Sequence, residues 1–206
     1  MNTLAFIPAR SGSKGVIDKN IRNLNGIPLL AYSVHIAQLC CKQGIFSDVL
    51  VSTDSKLYLE KIKQTGYNNQ YIRPKDLAHD ESPTIDAIIH AINDYAKKNI
   101  FFDNVMILQP TSPFRCIQDI KKSIQVLESN PLTTCVASVF KLSDHHPRRI
   151  KLINKDGFLD DFCDEYKEPE PSRRQDFTPD AFIRSCLLYT SPSPRDLSTS
   201  RMPASA

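Results

Sequence analysis

Three short apolar runs limit what this chain can fold into more than any other feature. Leu4-Ala5-Phe6-Ile7, Val49-Leu50-Val51 and Val105-Met106-Ile107-Leu108 are too short for core helices and too continuously apolar for strands with one wet face. They predict buried strands. Helical periodicity fills the intervals. One helix is expected to open at Ile27-Pro28-Leu29, with Leu30, Val34 and Ala37 on one face; a second follows Thr53-Asp54-Ser55 and stops at Gly66. In the second, Asp54 is read either as a plain N-cap or as a ligand residue. A third begins at Thr84, with Ile85, Ile88, Ile89 and Ile92 on one side, and a fourth runs from about Cys116 to Leu127. Tyr71-Ile72 and Thr133 to Leu142 complete the expected strands. Strands alternating with helices predict an α/β fold with a doubly wound, mostly parallel sheet, and such sheets bind ligands at the carboxyl ends of their strands.

Polar clusters stand at those ends. The first apolar run leads into Pro8-Ala9-Arg10-Ser11-Gly12-Ser13-Lys14-Gly15-Val16-Ile17-Asp18-Lys19-Asn20. Gly12 and Gly15 allow backbone N–H groups to approach a ligand closely, and Arg10, Lys14 and Lys19 bring three positive charges to one mouth. A loop of this composition suits a polyphosphate, whose oxygens accept both backbone and charge-assisted hydrogen bonds. It is not a Walker A loop, because Lys14 precedes its glycine, and it is not Gly-x-Gly-x-x-Gly.

The fourteen residues from Ile7 to Asn20 resemble the signature of the acylneuraminate cytidylyltransferases, the CMP-sialic acid synthetases, in the order Ala-Arg-x-x-Ser-Lys-Gly followed by Lys-Asn. Val51-Ser52-Thr53-Asp54-Ser55 and Gln109-Pro110-Thr111-Ser112-Pro113-Phe114-Arg115 also match segments of that family. The resemblance implies a Rossmann-like nucleotidyltransferase that moves CMP from CTP to the anomeric hydroxyl of a nonulosonic (sialic) acid and releases pyrophosphate, with Mg2+ as cofactor. It implies that Arg10, Ser13, Lys14 and Lys19 take the triphosphate, with Arg10, Lys14 and Lys19 supporting the departing pyrophosphate. Asn20 would fall near the ribose and α-phosphate, and Arg73, Asp80 and Ser82 would face the cytosine. Gln109, Thr111, Ser112 and Arg115 would line the sugar pocket, and Arg149 and Arg174 would meet the sugar carboxylate, which arginine binds bidentately. A related acid sugar (pseudaminate, legionaminate or 3-deoxy-manno-octulosonate) is the alternative substrate, and a non-catalytic nucleotide-binding fragment is the alternative of another class.

Residues 1–142 are assigned to the nucleotide-binding core. From residue 143 to 185 the helical period is lost, leaving a hairpin around Lys155-Asp156-Gly157 and an acidic stretch. The segment is expected to be a small β-rich dimerisation arm, because Ile150, Leu152, Ile153, Phe158, Leu159 and Phe162 cannot bury themselves within it. His145-His146 lacks further ligands at metal spacing. Residues 186–206 turn rich in serine and proline, and Cys186-Leu-Leu-Tyr-Thr-Ser-Pro-Ser-Pro-Arg-Asp resembles one reading frame of a sequencing adapter; they are expected to be a non-native, disordered tail. The metal-binding aspartate pair of the family would then lie past the native residues, leaving none here and the chain inactive. Of the whole chain, 41% is hydrophobic and 24% charged, the balance of a globular protein, and a net charge of +3 is too small to suggest nucleic acid. No apolar run reaches membrane-span length, and six cysteines without ligand spacing suit a reducing, cytoplasmic setting.

Overall fold

The computed structural model describes residues 1–142, 145–163, 165 and 178–192. Among them one compact unit holds residues 1–138 and 186–192 and a second holds residues 139–185.

The first apolar run forms β1 (Thr3–Pro8), which leads through the cationic loop to a tight hairpin, β2 (Asn23–Leu24) and β3 (Ile27–Pro28). Asn25 and Gly26, both at positive φ, make the turn (50° and 80°). Their Asn-Gly pair is the sequence signal for a two-residue hairpin loop. The first helix, α1 (Leu29–Lys42), therefore begins two residues later than periodicity suggested, because Ile27 and Pro28 are committed to the hairpin. β4 (Asp48–Ser52), α2 (Lys56–Ile62), α3 (Thr84–Ala96), β5 (Asn104–Ile107), α4 (Ile117–Ser129) and β6 (Val136–Lys141) follow. Gly66, at φ 81°, closes the turn after α2.

The main sheet has the order β4-β1-β5-β9-β6, where β9 spans Phe182–Pro192. β1 lies parallel to both β4 and β5, in registers that pair Phe6 with Leu50 and with Ile107. Alternation along β1 then divides the core into two layers. Leu4 and Phe6 pack with Leu50, Val105 and the α3 face formed by Ala87, Ile88, Ala91, Ile92 and Tyr95. Ala5 and Ile7 pack on the opposite side with Val51, Met106, Leu108, the α1 residues Leu30, Val34 and Ala37, and Ile120 of α4. Helices on both faces of a largely parallel sheet make the fold doubly wound and Rossmann-like. On α3 the buried stripe is rotated from the expected one: Ile85 is exposed, and alanines at 87 and 91 let the helix approach the sheet.

Two sequence expectations change here. Tyr71-Ile72 is not a strand. Asn69 Oδ1 accepts from Tyr71 N (3.0 Å), and the segment touches the end of β4 through one backbone bond, Arg73 N to Thr53 O (2.8 Å), with no ladder. Residues 186–192 are not irregular. β9 runs through them antiparallel to β5, pairing Ile107 with Tyr189 and Asn104 with Pro192. The physical reason is the open edge of β5, whose backbone groups need partners that an extended segment supplies. The rest of the expected tail, 193–206, lies outside the described residues.

In the second unit β7 (Lys151–Ile153) and β8 (Leu159–Asp161) form the expected hairpin. Asn154 Oδ1 accepts from the N–H groups of Asp156 (3.1 Å) and Phe158 (2.9 Å) and shapes the turn, while Lys151 and Asp161 pair across the strands. His146 is buried, with Nε2 bonded to Pro179 O (3.0 Å) and Nδ1 accepting from Arg148 N (3.3 Å). Its ring fixes the 3-10 turn Pro147–Arg149. No helix among the described residues is long and apolar enough to cross a membrane.

Candidate functional site

Because β1, β4 and β5 are parallel, the segments leaving them emerge at one edge of the sheet. Ala9 N still donates to Ser52 O (2.9 Å), so the cationic loop departs from a point fixed against β4. Asp54, just past β4, then seizes the next turn: Ser11 N donates to its Oδ1 (2.7 Å) and Ser11 Oγ to its Oδ2 (2.5 Å). Burial pushes the Asp54 carboxyl upward, but the two bonds from Ser11, its own backbone N–H and the charge of Arg73 together outweigh it and hold the group below its ordinary value. Asp54 is thus neither an N-cap for α2 nor exposed as a ligand residue; it anchors the loop.

The far end of the loop is fastened as firmly. Asn20 is buried and donates through Nδ2 to Arg10 O (3.1 Å), tying the loop's exit to its entrance. Asp18 adopts a left-handed conformation (φ 52°) and accepts from the Tyr58 hydroxyl (3.0 Å), which burial and that carboxylate make hard to ionise. Between these anchors Gly12 turns at φ 70°, where a β-carbon would be strained. Ser13 is half-buried in mid-loop, Lys14 is exposed, and Lys19 opens a 3-10 turn at Lys19–Ile21.

Two of the three cations converge on one acceptor. The carboxylate of Asp80 pairs with Arg10 Nη2 through Oδ1 and with Lys14 Nζ through Oδ2 (2.6 Å), and these two cations lower its pKa. Asp80 belongs to the irregular segment before α3, where Ser82 Oγ donates to Asp76 O (3.2 Å). Arg73 begins that segment with its guanidinium turned inward: Nε donates to Ser52 Oγ (2.9 Å), Nη2 to Ser52 O (2.7 Å) and Nη1 to Leu77 O (3.4 Å). It staples the segment to the end of β4.

At the end of β5, Arg115 is likewise buried, donating to Ser33 Oγ of α1 (2.9 Å) and Gln109 O (2.5 Å). Desolvation lowers its pKa to about 10, and its Nε finds no acceptor among the described residues. The guanidinium holds the turn Gln109–Ser112, leaving Thr111 exposed and Ser112 half-buried. Phe114 stands 81% exposed beside the Tyr32 ring. The loop, the Arg73–Ser82 segment and this turn all belong to the first unit. Arg149 is an exposed residue of the second, and Arg174 lies outside the described residues. Sequence reasoning missed the anchoring roles of Ser11, Tyr58 and Ser33, which no local pattern marks because each partner is distant in the chain.

The carboxylates of this edge are engaged by Ser11, Tyr58 and the two cations, and the described residues contain no group of three or more His, Cys, Asp or Glu side chains able to hold a metal ion.

The layered sheet and its looped edge define an α/β fold of the nucleotidyltransferase kind. A solved CMP:2-keto-3-deoxy-manno-octonic acid synthetase in complex with CTP superposes with a TM-score of 0.66 over 96% of this chain and 78% of that one, at 16% identity, a likeness of fold alone. The family model described as Cytidylyltransferase matches residues 4–184, and the chain belongs to that family. It is 39% identical over 128 residues to a CMP-N,N'-diacetyllegionaminic acid synthase of Legionella pneumophila, covering 61% of this chain and 53% of the relative. It is 32% identical over 181 residues to an N-acylneuraminate cytidylyltransferase of Streptococcus agalactiae, covering 87% of this chain and 41% of the relative. The chain thus spans about half, or less, of the length of these curated relatives.

Proposed function

We propose that this chain carries the CTP-binding part of a synthetase that activates a nonulosonic acid as its CMP ester. The observation that carries the reading is the convergence of Arg10 and Lys14 on a single carboxylate from a loop anchored at both ends. Two cations that share one carboxylate can share a phosphate chain when it arrives.

In the reaction the sugar's anomeric oxygen forms a bond to the α-phosphorus of CTP. The bond from that phosphorus to the bridging oxygen breaks, pyrophosphate leaves and the hydroxyl proton is released. Negative charge grows on the departing pyrophosphate, and Arg10, Lys14 and Lys19 answer it from a loop already held in place, so little reorganisation is required at the moment of transfer. Ser13 supports the same phosphates. Asn20 acts by holding the Arg10 carbonyl, and Arg73 by fixing the segment in which Ser82 meets the cytosine edge. Gln109, Thr111 and Ser112 form the sugar side on a turn secured by Arg115. Arg149 and Arg174 serve the sugar carboxylate, and the apolar arm side chains pair with a second copy in a homodimer.

Among acid sugars, a nonulosonate is supported by the names of the relatives, which include a pseudaminic acid cytidylyltransferase of Campylobacter jejuni, 34% identical over 113 residues. The test is pyrophosphate release from CTP with sialic, legionaminic, pseudaminic and 3-deoxy-manno-octulosonic acids in turn, using a protein that carries the family's full length. Release with one of the three nonulosonates is the expected result. Release with the octulosonate alone, or with none, contradicts the proposal.

A further inference from the structure

Asp80 occupies the position that the proposed function gives to a phosphate. Its two carboxylate oxygens are divided between Arg10 and Lys14, as two oxygens of a phosphate chain would be. We propose that Asp80 is a built-in counter-ion of the anion site, one that a ligand must displace and that sets how much negative charge a ligand must bring. The inference rests on the reading of the Arg10–Lys14 loop as a polyphosphate site.

Three observations support it. Both ion pairs are solvent-accessible: the side chains of Asp80 and Arg10 are about one-third exposed (30% and 32%) and that of Lys14 is 83% exposed, so the pairs are individually weak and exchangeable. Asp80 does not sit on a helix or strand. It lies in the irregular stretch between the 3-10 turn Lys75–Leu77 and α3, a stretch able to move without breaking a ladder. The cations, by contrast, leave a loop tied down through Asp54 and Asn20. When the pairs break, Asp80 is therefore the partner that moves.

The arrangement has a functional consequence. With Asp80 in place, a small anion gains little by replacing a carboxylate that already satisfies both cations. A triphosphate offers several charged oxygens at once and wins the exchange. Displacement also releases the residues around Asp80 within the segment that Arg73 holds, so occupation of the phosphate seat is coupled to the part of that segment proposed to meet the base. Asp80 is thus a specificity-determining residue for polyphosphate, and this differs from a role in reading cytosine.

The experiment titrates inorganic tripolyphosphate, which has no base, into the full chain and its Asp80→Asn, Asp80→Glu and Lys14→Ala variants by calorimetry. Asp80→Asn is expected to bind about tenfold tighter, the size two exposed ion pairs allow, while Asp80→Glu stays close to wild type. Unchanged or weaker binding in Asp80→Asn overturns the counter-ion. If Lys14→Ala binds as well as wild type, the polyphosphate reading itself fails. If Lys14→Ala weakens binding and Asp80→Asn does not tighten it, only the counter-ion proposal fails. A second measurement uses the wild-type chain: saturating tripolyphosphate should speed amide hydrogen exchange in residues 78–82. Equal or slower exchange there contradicts displacement.

Discussion

Asp54 shows how one side chain can decide the shape of a loop far from it in sequence. It gathers the N–H and hydroxyl of Ser11 from 43 residues away and fixes the turn from which Arg10 and Lys14 reach out. Its carboxyl is held below its ordinary value, so the stabilisation it gives is present above the unfolded value, about 3.9, and is lost as pH falls through the lower folded one. Asp54→Asn keeps the shape and removes the charge. It should lower stability at pH 7 by about 1–2 kcal/mol and lose less than wild type between pH 5 and pH 3, as read by urea unfolding at each pH. At the cations themselves, Lys14→Ala and Arg10→Ala in a full-length protein should each raise the barrier to transfer by about 3 kcal/mol while leaving the unfolding midpoint nearly unchanged. Near-normal kcat in either variant would remove the loop from the mechanism.

Among the elements, the strands, helices and cationic loop were legible because their signals are local: apolar runs for β1, β4 and β5, and the 3.6-residue stripe of Leu30, Val34 and Ala37 on α1. Of the candidate site, the convergence of Arg10 and Lys14 was legible too. What Arg73, Asn20 and Arg115 do with their donors was not, since their partners at Ser52, Arg10, Ser33 and Gln109 come together only in the folded chain. The Asn25-Gly26 hairpin was readable but was overshadowed by the helix pattern starting at Ile27. Composition misread residues 186–192, because serine and proline content says nothing about an unpaired strand edge waiting beside them. β9 makes that edge testable. Ending the chain after Ser185 removes the partner paired with Asn104–Ile107, so amide exchange in β5 should quicken and the urea midpoint should fall. No change in either would mean that β9 does not hold the sheet. On the other face of the sheet, Ile88→Ala should cost about 2–5 kcal/mol, since the side chain is 2% exposed between α3 and β1.

At the scale of the whole molecule, each of the two units presents a different surface. The first presents the looped sheet edge, and the second exposes Ile153, Phe158, Leu159 and Phe162 on and around a small hairpin. A two-stranded hairpin cannot bury such side chains by itself, and the proposed homodimer gives them a place. Sedimentation of a full-length protein should show a dimer that Phe158→Asp with Phe162→Asp converts to monomer; a stable, active wild-type monomer would refute the arm's role.

In the proposed function, the anchored cationic loop and the Arg73–Ser82 segment together select cytidine triphosphate. Calorimetric titration of CTP, ATP and GTP into the wild-type chain and into Lys14→Ala tests it most directly. CTP should bind wild type at least tenfold tighter than either purine triphosphate, and Lys14→Ala should weaken CTP by a factor of ten or more. Equal affinity for the three nucleotides, or undiminished CTP binding by Lys14→Ala, would contradict the account.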